Sequence, residues 1–99
     1  MSTFTVIEEQ LRQILELLST TFSESEAKEV VRFIDVGEYG IALETLCSIL
    51  DEEKKSVSHE VYNQIDDVGR RMLMDPTIWG RLCIADNKSK GIEKLSRES

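Results

Sequence analysis

VRFIDVGEYGIALETLCSIL, residues 31–50, contains two helical periods separated by one glycine. Val31 and Ile34 close one apolar stripe and Val36 ends it. From Glu38 a second stripe begins, with Tyr39, Leu43, Leu46 and Leu50 at i, i+4, i+7 and i+11. Gly37 supplies the left-handed residue on which a helix commonly ends, and Glu38 places a carboxylate at the positive end of the next macrodipole. The spacing therefore predicts helix, one-residue stop, helix, with the second helix running from about Glu38 to Lys54.

Working outward, Thr5 with Glu8 three residues later is a capping-box pattern for a first helix carrying Ile7, Leu11, Ile14, Leu15 and Leu18 on one side. Ser19, Thr20 and Thr21 should end it, because short hydroxyl side chains compete for backbone hydrogen bonds. Ser23 and Glu26 repeat the pattern and open a second helix with Ala27, Val30, Val31 and Ile34 on one face, widened by Phe33. Downstream, Ser58 caps a helix with Val61, Ile65, Val68 and Met72 at core spacing. Asp75-Pro76 signals the start of a short helix carrying Ile78, Trp79, Leu82 and Cys83. Trp79 reads as a core-closing residue, since a small domain needs its buried area. The expectation is an all-α fold: a single compact domain of about five amphipathic helices over residues 1–86. A polar, basic tail over 87–99 follows, with only Ile92 and Leu95 to bury.

The 99 residues suit one domain, and 40% hydrophobic with 31% charged is an ordinary globular balance. One proline and five glycines leave few breaks, which disfavours a many-turned β fold. The apolar clusters, such as Ile14-Leu15-Glu16-Leu17-Leu18, are short and interrupted by charge, so no signal peptide or membrane span is expected, and a cytoplasmic location is. Cys47 and Cys83 sit on apolar stripes without a close-spaced partner and read as reduced, buried thiols.

Charge is unevenly placed. The net −7 divides into −10 over residues 1–67, with fifteen Asp and Glu against five Lys and Arg, and +3 over residues 68–99. The acidic part should repel nucleic acid and attract a basic surface. Projected at 100° per residue, the helix after Gly37 has an outer side of Glu44, Ser48, Asp51, Glu52 and Lys55, with Ile41 at its head. Asp51, Glu52 and Glu53 oppose the macrodipole at its C-terminal end, at ~0.3 kcal/mol or more each before screening. Acids at an unfavourable end point to a docking surface; they equally suit a face selected for solubility. Asp66 and Asp67 form a second acidic pair able to meet a basic partner.

Catalytic patterns are lacking. His59, the one histidine, has no HExxH, Cys-His or Ser-His-Asp context, and reads as a surface residue. Cys47, Cys83 and His59 lack the short ligand spacings of a zinc site, so no metal and no cofactor are expected. Gly37-Glu-Tyr-Gly40 has neither the lysine nor the spacing of a phosphate-binding loop. The chain is not expected to be an enzyme.

Residues 36–47, Val-Gly-Glu-Tyr-Gly-Ile-Ala-Leu-Glu-Thr-Leu-Cys, followed by Ile49-Leu50 and Glu52, resemble the MafI family of bacterial immunity proteins. The likeness extends in arrangement over residues 27–83, through a polar linker, a helix with an aromatic residue like Tyr62, and a terminal tryptophan like Trp79. The resemblance implies an all-helical cytosolic protein that binds, 1:1, the C-terminal toxin domain of a large secreted bacterial effector of a polymorphic-toxin or contact-dependent growth inhibition system. The toxins of this family are often ribonucleases, EndoU-like or ribonuclease A-like. The shared residues would report fold: Gly37 and Glu38 at the helix junction, Gly40 permitting close helix approach, Leu43 and Leu46 packing inward. The family pattern does not identify the toxin contacts; the outward acidic faces place them on Ile41, Glu44, Ser48, Asp51, Glu52, Asp66 and Asp67, blocking the toxin's basic catalytic cleft or an exosite, with no membrane, small-molecule substrate or directly bound nucleic acid. The competing expectation is a helical scaffold or adaptor without a toxin, self-associating through spare apolar surface near Ile41 or the tail; a nucleic-acid regulator is the third.

Overall fold

Three serine caps set the frame. In a computed structural model, which describes residues 2–85, the side chain of Ser2 accepts from Thr5 N, Ser23 from Glu26 N, and Ser58 from Val61 N. These open α1 (Thr3–Leu17), α2 (Glu24–Asp35) and α4 (His59–Arg71). Ser23 and Glu26 form the reciprocal capping box that their spacing predicts. The first helix departs from expectation: Ser2, not Thr5, is its cap, and the helix starts at Thr3. Glu8, not needed for capping, instead accepts from Arg12 and from the Tyr39 hydroxyl.

Between α2 and α4 lies α3 (Tyr39–Glu52), the central element, which packs against α1, α2, α4 and a four-residue α5 (Thr77–Gly80). The fold is all-α, mostly helical, as the periodicities predict. Ala42, Leu43, Leu46, Cys47 and Leu50 of α3 are all buried, meeting Leu11 and Ile14 of α1, Val30 and Ile34 of α2, and Ile65 and Val68 of α4 in one core. α3 is a little shorter than expected, because Glu38 occupies the cap position without a side-chain cap bond and the helix ends before Lys54.

α2, α3 and α4 end in the same way. After α2, Glu38 N donates to Phe33 O at 2.9 Å and Gly37 N to Ile34 O at 3.0 Å, with Gly37 at φ +81°. This is the Schellman arrangement, and it satisfies carbonyls that a helix end leaves open. The α3 end repeats it with Lys54 at φ 53° and the α4 end with Leu73 at φ 60°. Neither is glycine, so both hold side chains in a region that costs a residue with a Cβ about 1–2 kcal/mol.

Two features escape the helical pattern. Ser56–Val57 (β1) and Cys83–Ile84 (β2) pair in parallel, Ser56 opposite Cys83 and Val57 opposite Ile84. This pairing buries Val57, in a stretch read as polar linker, and leaves Cys83 exposed, correcting the expectation of two buried thiols. Two-residue strands are too short to show alternation, which is why the sequence does not announce them. Leu82 is buried but lies past the end of α5, whereas Cys83 belongs to β2. The tail expected at 87–99 lies outside the described residues.

Close helix approach occurs at Gly69, where Gly40 was expected to provide it. A Cβ on Gly40 would meet only Met74 Sδ, at 3.8 Å. A Cβ on Gly69 would fall well inside van der Waals contact with Cζ3 and Cη2 of Trp79 and 3.0 Å from its Cε3. Trp79, 1% exposed, thus lies flat on the α4 backbone. Overpacking costs about 1–3 kcal/mol, and a rigid indole cannot yield as a flexible chain would. Gly69→Ala should lower unfolding free energy by about 2 kcal/mol in urea titration, whereas Gly40→Ala should leave it unchanged or raise it by up to ~1 kcal/mol.

Candidate functional site

The outer side of α3 is a ridge between two grooves. Glu44 and Ser48 line both. The groove toward α5, about 310 Å³, adds Cys47, Asp51, Thr77, Ile78 and Arg81. The groove toward α2, about 370 Å³, adds Glu29, Thr45, Ile49 and Glu52. Glu29, Glu44, Asp51 and Glu52 therefore share one exposed surface, with Ile41 43% exposed on the first turn of the same helix. α3 contains no Lys or Arg. One base reaches this surface from just past the end of α5: Arg81, with an Nη1 to Asp51 Oδ2 distance of 3.8 Å. That pair is largely solvated and contributes little to stability. Among the described residues, Glu29, Glu44 and Glu52 take part in no ion pair.

Of the seven contact residues expected from the sequence, the structure brings five together on α3 and sets two apart. Asp66 Oδ1 accepts from Trp79 Nε1 and from Arg70 Nε, each at 2.9 Å. Asp67 Oδ2 accepts from Gln10 Nε2 at 3.0 Å and Arg71 Nη2 at 3.1 Å. Neither lines the two grooves. Their work is internal, with Asp66 tying α5 to α4 and Asp67 tying α1 to α4. The indole N–H, then Arg70, holds the Asp66 carboxyl below the usual range, and Gln10, then Arg71, does the same for Asp67. Glu8 is likewise lowered, first by Arg12 and then by the Tyr39 hydroxyl. Through Arg12, which also reaches Asp35 Oδ1 at 2.8 Å, this cluster links α1, α2 and α3.

Glu29, Thr45 and Arg81 belong to the surface but were not anticipated. Glu29 lies on the solvent side of α2, legible from its period, but only the packing of α2 on α3 puts it beside Glu44 and Glu52. Arg81 arrives because Trp79 fixes α5.

Chemically the ridge and its two grooves offer carboxylates and the hydroxyls of Thr45, Ser48 and Thr77. Cys47 borders it at 2% exposure, its thiol pushed up to about 12 by burial and then by the charge of Glu44. At neutral pH it is protonated and a poor nucleophile. His59 is exposed at the start of α4 and lines neither groove. Among the described residues no three His, Cys, Asp or Glu side chains are grouped so as to hold a metal ion, and no helix is long and apolar enough to cross a membrane. What such a surface can do is accept hydrogen bonds and charge from a cationic partner.

No protein-family model matches the chain, and no curated protein or solved structure matches it either.

Two measurements check this geometry. With a thiol-specific reagent at neutral pH, Cys83 should react in the folded protein and Cys47 only after unfolding. The lowered carboxyls of Glu8, Asp66 and Asp67 contribute stability that is present above their unfolded pKa, about 4, and is lost as pH falls through their folded values. Stability should therefore drop on acidification below about pH 5, and Asp66→Asn or Asp67→Asn should flatten that limb while lowering stability at neutral pH.

Proposed function

We propose that this protein is an immunity-type inhibitor, cytoplasmic and without catalytic activity of its own, which neutralises a cognate secreted toxin domain by holding it 1:1 against the α3 ridge. The partner is a basic nuclease domain, of the EndoU-like or ribonuclease A-like kind. The observation that carries this reading is the gathering of Glu29, Glu44, Asp51 and Glu52 on one exposed surface with a single basic side chain among them. Asp51 and Glu52 sit in the last turn of α3, which carries no basic residue of its own, and the macrodipole opposes them, with only the long approach of Arg81 to Asp51 as offset. Helix stability does not account for such placement, whereas a cationic partner does.

The chemistry of the partner follows from that of its substrate. A ribonuclease must present positive charge to hold phosphates, and that charge both steers an acidic protein toward it and binds carboxylates set where phosphates would lie. Helix-borne acids suit this role because their positions are fixed before encounter, which reduces the ordering cost of binding. Ile41, 43% exposed and three residues before Glu44 on the same side of α3, supplies apolar contact at one end. The likeness of residues 36–47 to MafI immunity proteins supports the same reading through the fold-bearing residues Gly37, Leu43 and Leu46.

The test is co-expression with basic nuclease toxin domains, followed by co-purification and binding kinetics at several salt concentrations. The triple reversal Glu44→Lys, Asp51→Lys and Glu52→Lys should slow association at low salt by about tenfold or more and flatten its salt dependence. Unchanged association and salt dependence in that variant would show that the ridge is not the docking surface.

A further inference from the structure

Among the described residues, the three most exposed large apolar side chains gather at one end of the bundle: Leu73 at 91%, Val36 at 70% and Phe4 at 68%. Phe4 and Leu73 rim an open groove of about 410 Å³ whose floor includes Ile7, Tyr39, Met72 and Met74. Val36 adjoins it through Gly37, which also lines the groove. The other exposed apolar residues, Leu17, Ile41 and Ile84, lie between 41% and 43%. Leu73 departs furthest from what its place requires. It occupies the left-handed position of a helix end, φ 60°, where glycine or asparagine is unstrained, and its side chain is almost wholly in solvent. Neither local backbone preference nor packing among the described residues accounts for leucine there.

We infer that this end of the molecule is a self-association surface, joining two copies of the chain about a two-fold axis. Two observations select a second copy as occupant. Projecting knobs, Leu73 and Phe4, and a groove of apolar lining lie on the same patch, and a two-fold interface needs such self-complementarity because each patch must receive itself. Charge agrees. The chain carries nineteen acids against twelve bases, so its net charge sets two copies against each other, but the groove is lined by one of each, Glu38 and Arg71, the latter also paired with Asp67 at 3.1 Å. A two-fold axis can set the acid of one copy toward the base of the other. Methionines at 72 and 74 give the floor unbranched, adaptable side chains able to shape themselves around an inserted leucine. None of these groove residues lines the ridge grooves, so a dimer leaves both ridges open to a toxin domain.

Sedimentation equilibrium of the full chain from about 1 μM to about 1 mM, a span that covers weak and moderate dimers, tests this. The wild type should pass from the mass of one chain to that of two. Leu73→Gly removes the knob and frees the backbone, so it should raise the dimer dissociation constant at least tenfold while the thermal midpoint holds or rises. Phe4→Ser should weaken the dimer in the same direction. Glu44→Lys, on the ridge, should leave self-association intact, which separates this inference from the toxin-binding proposal. A single-chain mass across the whole range, or an unaltered dimer in Leu73→Gly, would overturn it. So would protection of the groove only when a nuclease domain is bound, which would assign the patch to that partner.

Discussion

The face of Trp79 resting on the backbone of Gly69 is the contact on which the acidic surface depends. α5 has only four residues, too few to hold a helical conformation unaided. Its place is fixed by the indole, buried against α4 and donating through Nε1 to Asp66, so that apolar area and a charge-assisted hydrogen bond act on one side chain. With α5 held, Thr77, Ile78 and Arg81 wall one side of the α3 ridge. The chain is also returned so that Cys83 and Ile84 pair with Ser56 and Val57, which closes the fold across the two helices that lie between them in sequence.

The carboxylates divide into two populations with different tasks. Glu8, Asp66 and Asp67 receive hydrogen bonds from side chains of other helices as well as from a neighbouring arginine, and their charged forms are stabilised accordingly. They are part of how helices are fastened together. Glu29, Glu44 and Glu52 stand on one surface without ion pairs among the described residues, and Asp51 has only a long approach from Arg81. Charges of one sign held this close raise the energy of the isolated protein, modestly because water screens them. An incoming base would relieve that repulsion, which is what makes the proposed toxin complex physically consistent with the free protein.

A similar tension marks the opposite chemistry at the end of the bundle. Glycine ends α2, but lysine and leucine occupy the equivalent left-handed positions after α3 and α4. Lys54 is a charged side chain in water and incurs only the backbone cost. Leu73 adds exposure of nearly its whole apolar surface, beside Phe4 and Val36. The acidic ridge and the apolar groove lie on different parts of the surface, and each is costly to the isolated chain in a way that binding would offset.

The helices were legible because their signals are local. Ser23 with Glu26, Ser58, Gly37 and Asp75-Pro76 act within a few residues of themselves, and the periodic apolar stripes select the buried faces of α1 to α4 with no knowledge of partners. The outer row of α3, Glu44, Ser48, Asp51 and Glu52, follows from the same period. Tertiary packing alone determined the rest. Asp66 and Asp67 looked like free carboxylates until Trp79 and Gln10, distant in sequence, reached them; Gly69 rather than Gly40 was required by an indole from another helix. Glu29 joined the ridge only when α2 lay beside α3, and Cys83 left the core because a two-residue strand turned it outward. A helix and its buried face are decided by neighbours three and four residues apart, whereas the residues that share a surface are decided by which helices pack together.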